Sequence, residues 1–146
     1  MNIDLIYQDK FKFENEKQLF QKYKNRIEAL KEKKILSSFN EVLCTDKKIS
    51  EILKNKKKSD FFISLDENGK TYTSIDFSNL IFSNHFKKIF FFIGGTDGLT
   101  KMVLDQSDQI LSLSKMTFTH SFAAIILLEQ IYRSATIKLN HPYHRN

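Results

Sequence analysis

Two segments of this sequence contain residues that could bind a ligand or take part in catalysis, and a packed core does not explain either segment. The first, Phe91–Leu99 (FFIGGTDGL), is an apolar run that stops at Gly94 and Gly95 and reaches Gly98 three residues later. Glycines allow φ > 0 and let a ligand approach the backbone closely. Their spacing matches neither GxGxxG nor the phosphate-binding loop. A small-molecule site at a strand end and a tight turn without a ligand both stay open.

The second segment, Asn140–Arg145 (NHPYHR), brings together His141, Tyr143, His144 and Arg145. Two histidines three residues apart can indicate a metal site, but no cysteine or carboxylate lies near them, so we expect no metal. Cationic and hydrogen-bonding groups instead favour recognition of a phosphate backbone or a base. The tail is therefore a candidate contact for nucleic acid.

A third segment, Leu111–His120 (LSLSKMTFTH), mixes hydroxyl and apolar side chains ahead of the last predicted helix. Such a loop can surround an adenine ring, with main-chain groups bonding the edge of the ring. The alternative is a capping loop in which Thr117 or Thr119 is the helix N-cap. His120 would then be a neutral imidazole with no catalytic role.

The elements that must position these segments alternate between strands and helices. The predicted strands are Ile3–Tyr7, a period-two run from Ile35 through Phe39 to Leu43, Phe61–Leu65, Ile89–Ile93 and Ile110–Leu113. The predicted helices are Phe13–Leu30, Asp46–Lys58, Thr73–Phe86, Thr100–Gln106 and Thr119–Leu139. Asn68-Gly69 is a turn signal. The alternation predicts one α/β domain over residues 1–146, with a mostly parallel sheet and helices on both faces.

The last predicted helix is apolar on nearly all sides, which indicates burial on nearly all sides. A homodimer interface that includes Ile125, Leu128 and Tyr132 explains this pattern in a small domain. The alternative is a helix buried deeply within one chain. On the same helix, Glu129 and Arg133 are four residues apart and predict an ion pair.

Composition narrows the class of protein. The net charge of +6 and the pI near 9.3 favour a polyanionic partner such as RNA. A genome-wide bias toward lysine codons would give the same net charge. Cys44 is the single cysteine, so an intrachain disulfide is excluded and a reducing compartment is expected. The apolar runs are too short to span a bilayer, and the N-terminus is unlike a secretory signal. We expect a cytoplasmic protein that does not contact membranes.

The three segments belong to a set of five motifs that occur in one order along the chain. These are SLDENGK (Ser64–Lys70), FFIGGTDGL (Phe91–Leu99), LSLSKMTFTH (Leu111–His120), LLEQIYRS (Leu127–Ser134) and NHPYHR (Asn140–Arg145). In these motifs the chain resembles the RlmH family of SPOUT-class methyltransferases. The resemblance is near-continuous from about residue 60 to the end and looser but colinear before it.

The resemblance implies a SPOUT α/β fold with a deep trefoil knot, a homodimer, and S-adenosylmethionine as methyl donor. It implies methylation of N3 of a pseudouridine in 23S ribosomal RNA within assembled ribosomes. The implied donor contacts are Leu65, Gly94, Leu113, Ser114, Lys115, Met116, Thr117 and Phe118. If so, Gly94→Val is expected to block donor binding and leave the fold largely intact.

The resemblance also implies that the tail takes part in catalysis through His141, Tyr143, His144 and Arg145. N3 of a uracil-type ring carries a proton at neutral pH, so proton removal must accompany its attack on the methyl group. His141 or His144 is a candidate base by pKa range. Arg145 is a candidate for stabilising the developing anion. These roles stay open.

Some positions depart from the family pattern. Thr96 and Thr119 stand where proline is usual, Ala124 where an arginine is usual, and the stretch Cys44–Lys58 is short. These departures motivate an alternative, a catalytically degenerate homologue that binds ribosomal RNA as a non-enzymatic factor. The Gly94-Gly95 pair and the tail favour the enzyme, because a binding factor has no need of a donor pocket.

Overall fold

A computed structural model describes residues 1–82 and 85–145 of the chain. The strands are β1 (Asn2–Tyr7), β2 (Ser38–Leu43), β3 (Asp60–Thr71), β4 (Lys88–Ile93) and β5 (Gln109–Ser112). The α-helices are α1 (Glu14–Ala29), α2 (Asp46–Lys54), α3 (Ser74–Phe82), α4 (Lys101–Gln106) and α5 (His120–Lys138), and a short 3-10 helix spans Leu30–Lys33. The predicted alternation of strands and helices is confirmed.

The described strands form one sheet in the order β2-β1-β4-β3-β5, and every neighbouring pair is parallel. Leu5 lies opposite Phe91 of β4, and Phe91 lies opposite Ile63 of β3. β4 is therefore central, which explains why Ile89–Ile93 is apolar on both faces. Because all strands run the same way, their carboxyl ends meet at one edge, where the glycine segment begins.

Alternate residues of the strands enter two separate cores. On one face Ile89, Phe91 and Ile93 pack with α1, α3 and α5. On the other face Phe90 and Phe92 pack with α2 and α4. Helices thus cover both faces of the sheet, as predicted, and the many phenylalanines are largely core residues. Among the described residues no helix is long and apolar enough to cross a membrane.

The burial of α5 corrects one prediction. Ile125 and Leu128 are 5% and 0% exposed within a single chain, because α5 packs against both α1 and α3. They are therefore not available for contact with a second subunit. Tyr132 is half-buried and packs edge-on against Tyr143 at 4.9 Å between ring centroids. The exposed apolar side chain on this helix is Phe122, at 51%.

Several element boundaries also differ from the predictions. β3 extends to Thr71, but its register against β5 shifts between Leu65 and Lys70, which both pair with Leu111. Residues 66–69 therefore bulge out of the ladder, and the Asn68 amide donates to Asp66 Oδ1 within this bulge, where the turn was expected. Gly69 fits there because a Cβ would lie 2.7 Å from the carbonyl oxygen of Ile110. The other differences are that Ile35 precedes β2, α2 stops at Lys54, and the predicted end of α3 covers residues 83–84, outside the described residues.

Cys44 follows β2 directly and is 4% exposed in the core that includes Ile49 and Leu53. Its amide donates to the carbonyl of Tyr7, 2.8 Å away, which extends the pairing of β1 and β2 by one residue. Burial raises the pKa of the Cys44 thiol. The cysteine is thus a structural core residue.

Candidate functional site

A cavity of about 330 Å³ lies at the carboxyl ends of β4 and β5, beside residues 65–67 of β3. This volume is within the usual range for small-molecule sites, and this edge is the usual ligand position in open parallel sheets. Three stretches of chain enclose it, namely the continuation of β3, the glycine turn after β4, and the loop between β5 and α5. The lining residues are Leu65, Asp66, Glu67, Ile93, Gly94, Gly95, Thr96, Asp97, Gly98, Leu111, Leu113, Ser114, Met116, Thr117, Phe118, His120 and Ala123.

The glycine segment forms a tight turn. The amide of Gly98 donates to the carbonyl of Gly95 at 3.0 Å, and Gly98 has φ of 73°. A Cβ on Gly94 would lie 2.4 Å from the carbonyl carbon of Gly98, so the backbone of this turn excludes any side chain at Gly94. The segment is therefore a tight turn, and this turn also forms one wall of the cavity.

Asp9 anchors this turn, and sequence reasoning missed it. Its Oδ2 accepts from the amide of Thr96 at 2.8 Å and from the Thr96 hydroxyl at 3.1 Å. The same oxygen lies 3.8 Å from Nδ1 of His120. A Cβ on Gly95 would lie 2.7 Å from this carboxylate. The only available signal was that Asp9 follows β1, whose carboxyl end reaches the same edge of the sheet as that of β4.

The loop before α5 is ordered by short-range hydrogen bonds. Ser114 Oγ accepts from the amide of Met116 at 3.0 Å, and the Thr117 hydroxyl donates to the carboxylate of Glu67. The Thr119 hydroxyl accepts from the amide of Phe122 at 3.4 Å, which makes Thr119 the N-cap that the capping alternative proposed. The loop therefore caps the helix and borders the cavity at once.

The structure places seven of the eight implied donor contacts at this cavity. They are Leu65, Gly94, Leu113, Ser114, Met116, Thr117 and Phe118. Lys115 is exposed and does not border the cavity. Sequence reasoning missed the carboxylates of Asp66 and Glu67, which stand in the Ser64–Lys70 motif but carried no separate signal.

The chemistry of the lining fits S-adenosylmethionine. Apolar side chains such as Leu113 and Phe118 suit the flat adenine ring, and exposed backbone at Gly94 suits its polar edge. The carboxylates of Asp66 and Glu67 suit cationic groups such as an amine or a sulfonium. No group of three or more His, Cys, Asp or Glu side chains in the described chain is arranged to hold a metal ion.

The tail residues lie along α5 rather than in the cavity. The Tyr143 hydroxyl donates to Glu129 Oε1 at 3.1 Å, and the Arg133 guanidinium lies 4.9 Å from the Tyr143 ring centroid. His144 Nδ1 is 3.4 Å from Arg133 Nη1. His141 Nδ1 accepts from the Tyr143 amide at 3.2 Å, which closes a local turn.

Charge stabilises this arrangement. Glu129 and Arg133 form the predicted ion pair at 2.6 Å, and the hydrogen bond to Glu129 is the main cause that raises the pKa of Arg133. Partial burial, followed by hydrogen bonds with Tyr23 and Glu129, raises the pKa of Tyr143 to about 12. Tyr143 is therefore protonated at neutral pH and donates a hydrogen bond.

No tail residue borders the cavity within one chain. Ala123 is the last residue of α5 that borders the cavity. The residues of α5 that contact the tail, Glu129 and Arg133, follow it by six and ten positions. At about 1.5 Å rise per residue, these lie about 9 Å and 15 Å further along the helix. The structure therefore brings the implied donor contacts together but leaves His141, Tyr143, His144 and Arg145 apart from them.

Comparisons with known proteins agree with this fold. Over residues 1–144 the chain matches the family described as predicted SPOUT methyltransferase, so the chain belongs to the SPOUT methyltransferases. The fold also resembles two solved structures, each at 12% sequence identity. A probable methylase family protein from Haemophilus influenzae has a TM-score of 0.60, with 99% of this chain and 70% of that chain covered. The SpoU methyltransferase AviRb from Streptomyces viridochromogenes, in complex with AdoMet, has 0.52, with 97% and 58% covered.

Relatives of higher sequence identity have more specific names. A ribosomal RNA large subunit methyltransferase H from Dictyoglomus thermophilum is 40% identical over 99% of both chains. A protein of the same name from Clostridium tetani is 38% identical over 99% of this chain and all of its own. These relatives confirm the resemblance to the RlmH family. The strand order by itself does not define a knot, so the trefoil knot stays a prediction.

Proposed function

We propose that this protein transfers a methyl group from S-adenosylmethionine to N3 of a pseudouridine in large-subunit ribosomal RNA. The observation that carries the proposal is the convergence of three stretches on one cavity, namely residues 65–67 of β3, the Gly94–Gly98 turn and the Leu113–Phe118 loop. The names of the full-length relatives support ribosomal RNA as the substrate. The net charge of +6 is suited to that polyanion.

S-adenosylmethionine, when bound, supplies the methyl group on a sulfonium. The residues that would hold it are the apolar and main-chain groups of Leu65, Gly94 and the Leu113–Phe118 loop. Asp66 and Glu67 place negative charge beside its cationic groups, while the backbone turn fixed by Asp9 keeps one wall rigid. The chain's contribution here is to orient donor and base and to exclude water.

Catalysis by the tail requires a second subunit in this proposal. The tail's contacts on α5 are about 9–15 Å beyond Ala123 along the helix, too far to reach the cavity of the same chain directly. A homodimer would present the tail of one protomer to the cavity of its partner. His141 or His144 would then remove the N3 proton, and Arg145 would stabilise the anion. Tyr143 would position the tail through Glu129.

The test is calorimetry with S-adenosylmethionine, paired with methyl transfer to ribosomes that lack this modification. We expect micromolar donor binding and one methyl group per large subunit, which nuclease digestion and mass spectrometry would locate on N3 of a pseudouridine. Absence of donor binding at millimolar concentration would refute the cavity assignment and support the non-enzymatic alternative. Donor binding without methyl transfer would refute ribosomes as the substrate.

Deleting residues 144–146 separates the tail from the donor site. We expect donor affinity to stay within about threefold, about 0.6 kcal/mol. Methylation of ribosomes should fall about a hundredfold, as for one lost electrostatic contact. Full activity in the shortened protein would remove His144 and Arg145 from the mechanism.

A further inference from the structure

A second cavity, of about 350 Å³, lies at the carboxyl ends of β1 and β2, beside the start of α1. We call it the lysine cleft. It is bordered chiefly by Tyr7, Lys10, Phe11, Lys17, Glu41 and Leu43. None of the five motifs that the chain shares with its family includes these residues.

The cations of this region are available to a ligand. Within the described chain, no ion pair or hydrogen bond engages the side chains of Lys10, Lys12 or Lys17. The carboxylate of Glu41, in contrast, is paired with Lys24 at 2.9 Å. Two of the three nearby carboxylates are held by the fold, since Asp9 accepts from the amide of Thr96 and Glu16 accepts from the hydroxyl of Ser121. The third, Glu14, is exposed at the start of α1. The three unpaired lysines thus face one carboxylate that no other group engages.

Aromatic rings alternate with these lysines in the segment Lys10-Phe11-Lys12-Phe13. The rings of Tyr7 and Phe11 are 6.1 Å apart, and both border the cleft. Phe13 is 63% exposed on the first turn of α1, where it is the N-cap residue but makes no capping hydrogen bond. An exposed ring among unpaired lysines is the combination on which single-stranded nucleic acid stacks its bases.

The lysine cleft lies next to the cavity of about 330 Å³ proposed for S-adenosylmethionine, here called the donor cavity. Asp9, which precedes Lys10, holds Thr96 of the glycine turn, and the Lys10 carbonyl lies 3.4 Å from Nε2 of His120. Thr96 and His120 both line the donor cavity. The Asp9-Lys10 stretch therefore lies between the two cavities, and a polynucleotide strand that crosses it would reach both.

We propose that the lysine cleft binds the single-stranded RNA next to the methylated base. Lys10, Lys12 and Lys17 contact its phosphates, and Phe13 stacks on a base. The proposal rests on the proposed function for the identity of the RNA. An acidic peptide would also meet the lysines, but it would gain nothing from an exposed aromatic face, so RNA is the better match.

The first test reverses charge in the cleft and at a distant site. The double variant Lys10→Glu, Lys17→Glu is compared with Lys31→Glu, Lys33→Glu, which makes the same change in net charge at the opposite end of α1. Binding of fluorescein-labelled decauridylate is followed by anisotropy at several KCl concentrations. We expect the cleft variant to bind at least tenfold more weakly and the slope of log K against log [KCl] to fall by about 1.4. The control should keep the wild-type slope.

The second test removes the ring without weakening the helix. Serine is a favourable N-cap, so Phe13→Ser should leave the melting temperature unchanged or raise it. We expect several-fold weaker binding of decauridylate, an unchanged sedimentation coefficient and unchanged affinity for S-adenosylmethionine. A change in oligomeric state would instead assign Phe13 to a contact between subunits and overturn its role in stacking.

The outcomes separate this inference from the proposed function. Equal RNA binding by the cleft variant and its control would refute the lysine cleft. Tighter binding of polyglutamate than of decauridylate would do the same. Wild-type protein that binds decauridylate through the cleft but fails to methylate ribosomes would support the cleft and refute the proposed function.

Discussion

Gly94 is required by the protein's own backbone before any ligand is considered. We expected that valine at this position would occupy space needed by the donor and leave the fold intact. The structure gives a different reason for the glycine, because a side chain there would clash with the protein's own backbone. A Cβ there would lie 2.4 Å from the carbonyl carbon of Gly98 and 2.6 Å from the amide nitrogen of Leu99. Any side chain therefore displaces the turn, and the wall of the donor cavity moves with it.

Gly94→Ala should accordingly reduce both stability and donor binding. We expect the free energy of unfolding to fall by about 1–3 kcal/mol, as for other overpacked sites. Donor affinity should fall at least tenfold. The matched control for stability is Gly98→Asn, since Gly98 has φ of 73° with open space around its Cβ position, and asparagine tolerates that conformation. Urea unfolding would compare the two variants, and calorimetry would measure donor binding by Gly94→Ala. An equal loss of stability in the two variants would contradict this account.

Tyr143 gives the tail a signature at high pH. Its pKa of about 12 in the folded protein is above the ordinary value of 10.0, so folding favours the protonated phenol. The stabilisation is complete below pH 10 and is lost as pH rises from 10 to 12. Tyr143→Phe should therefore unfold with a flatter pH dependence in that window, and phenolate absorbance should show one fewer late-titrating tyrosine. An unchanged pH dependence would show that the Tyr143 hydroxyl does not form the hydrogen bond with Glu129.

Asp9 shows what residue types alone do not predict. The glycines and the tail stood out because their composition is unusual, whereas a single aspartate after a strand is ordinary. Its importance depends on the adjacency of β1 and β4, which brings Asp9 to Thr96 across 87 positions of sequence. Such long-range pairs are set by topology, which the local sequence does not encode.

Among the secondary-structure elements, α5 shows what the pattern of apolar residues can and cannot predict. The pattern correctly predicted a long and deeply buried helix. It did not identify what covers each side, because apolar residues look alike whether they face α1, α3 or another subunit. Burial in the folded chain assigns Ile125 and Leu128 to the core and leaves Phe122 exposed, together with Met116 at 74% and Phe118 at 39% in the preceding loop.

Phe122→Glu and Leu128→Glu should therefore behave differently. Phe122→Glu places a charge on an exposed face, so we expect a melting temperature close to wild type and, if this face joins two subunits, a shift from dimer to monomer. Leu128→Glu buries a carboxylate in the core and should unfold the protein or cause it to aggregate. Sedimentation velocity and thermal unfolding would separate the cases. Dimers of unchanged affinity in Phe122→Glu would place the interface elsewhere.

At the scale of the whole molecule, the sequence predicted the class of fold but not the arrangement of its strands. Alternating strands and helices imply a parallel sheet, and the double-sided apolar run Ile89–Ile93 marks a central strand. Nothing local in the sequence sets the order β2-β1-β4-β3-β5. The extension of β3 to Thr71 was missed for a related reason, since Asn68-Gly69 has turn chemistry and pairing with β5 resumes only at Lys70, after that segment.

The strand order has a consequence for biosynthesis. Both neighbours of β3 in the sheet, β4 and β5, are translated after it, while Phe62 and Ile63 of β3 are fully buried in the finished fold. At about 5–20 residues per second, a nascent chain holds these apolar side chains unpaired for several seconds. We expect stalled chains ending at Lys87 to be degraded rapidly by protease and chains ending at Arg145 to resist it once clear of the ribosome. The enzyme would then fold almost wholly after synthesis.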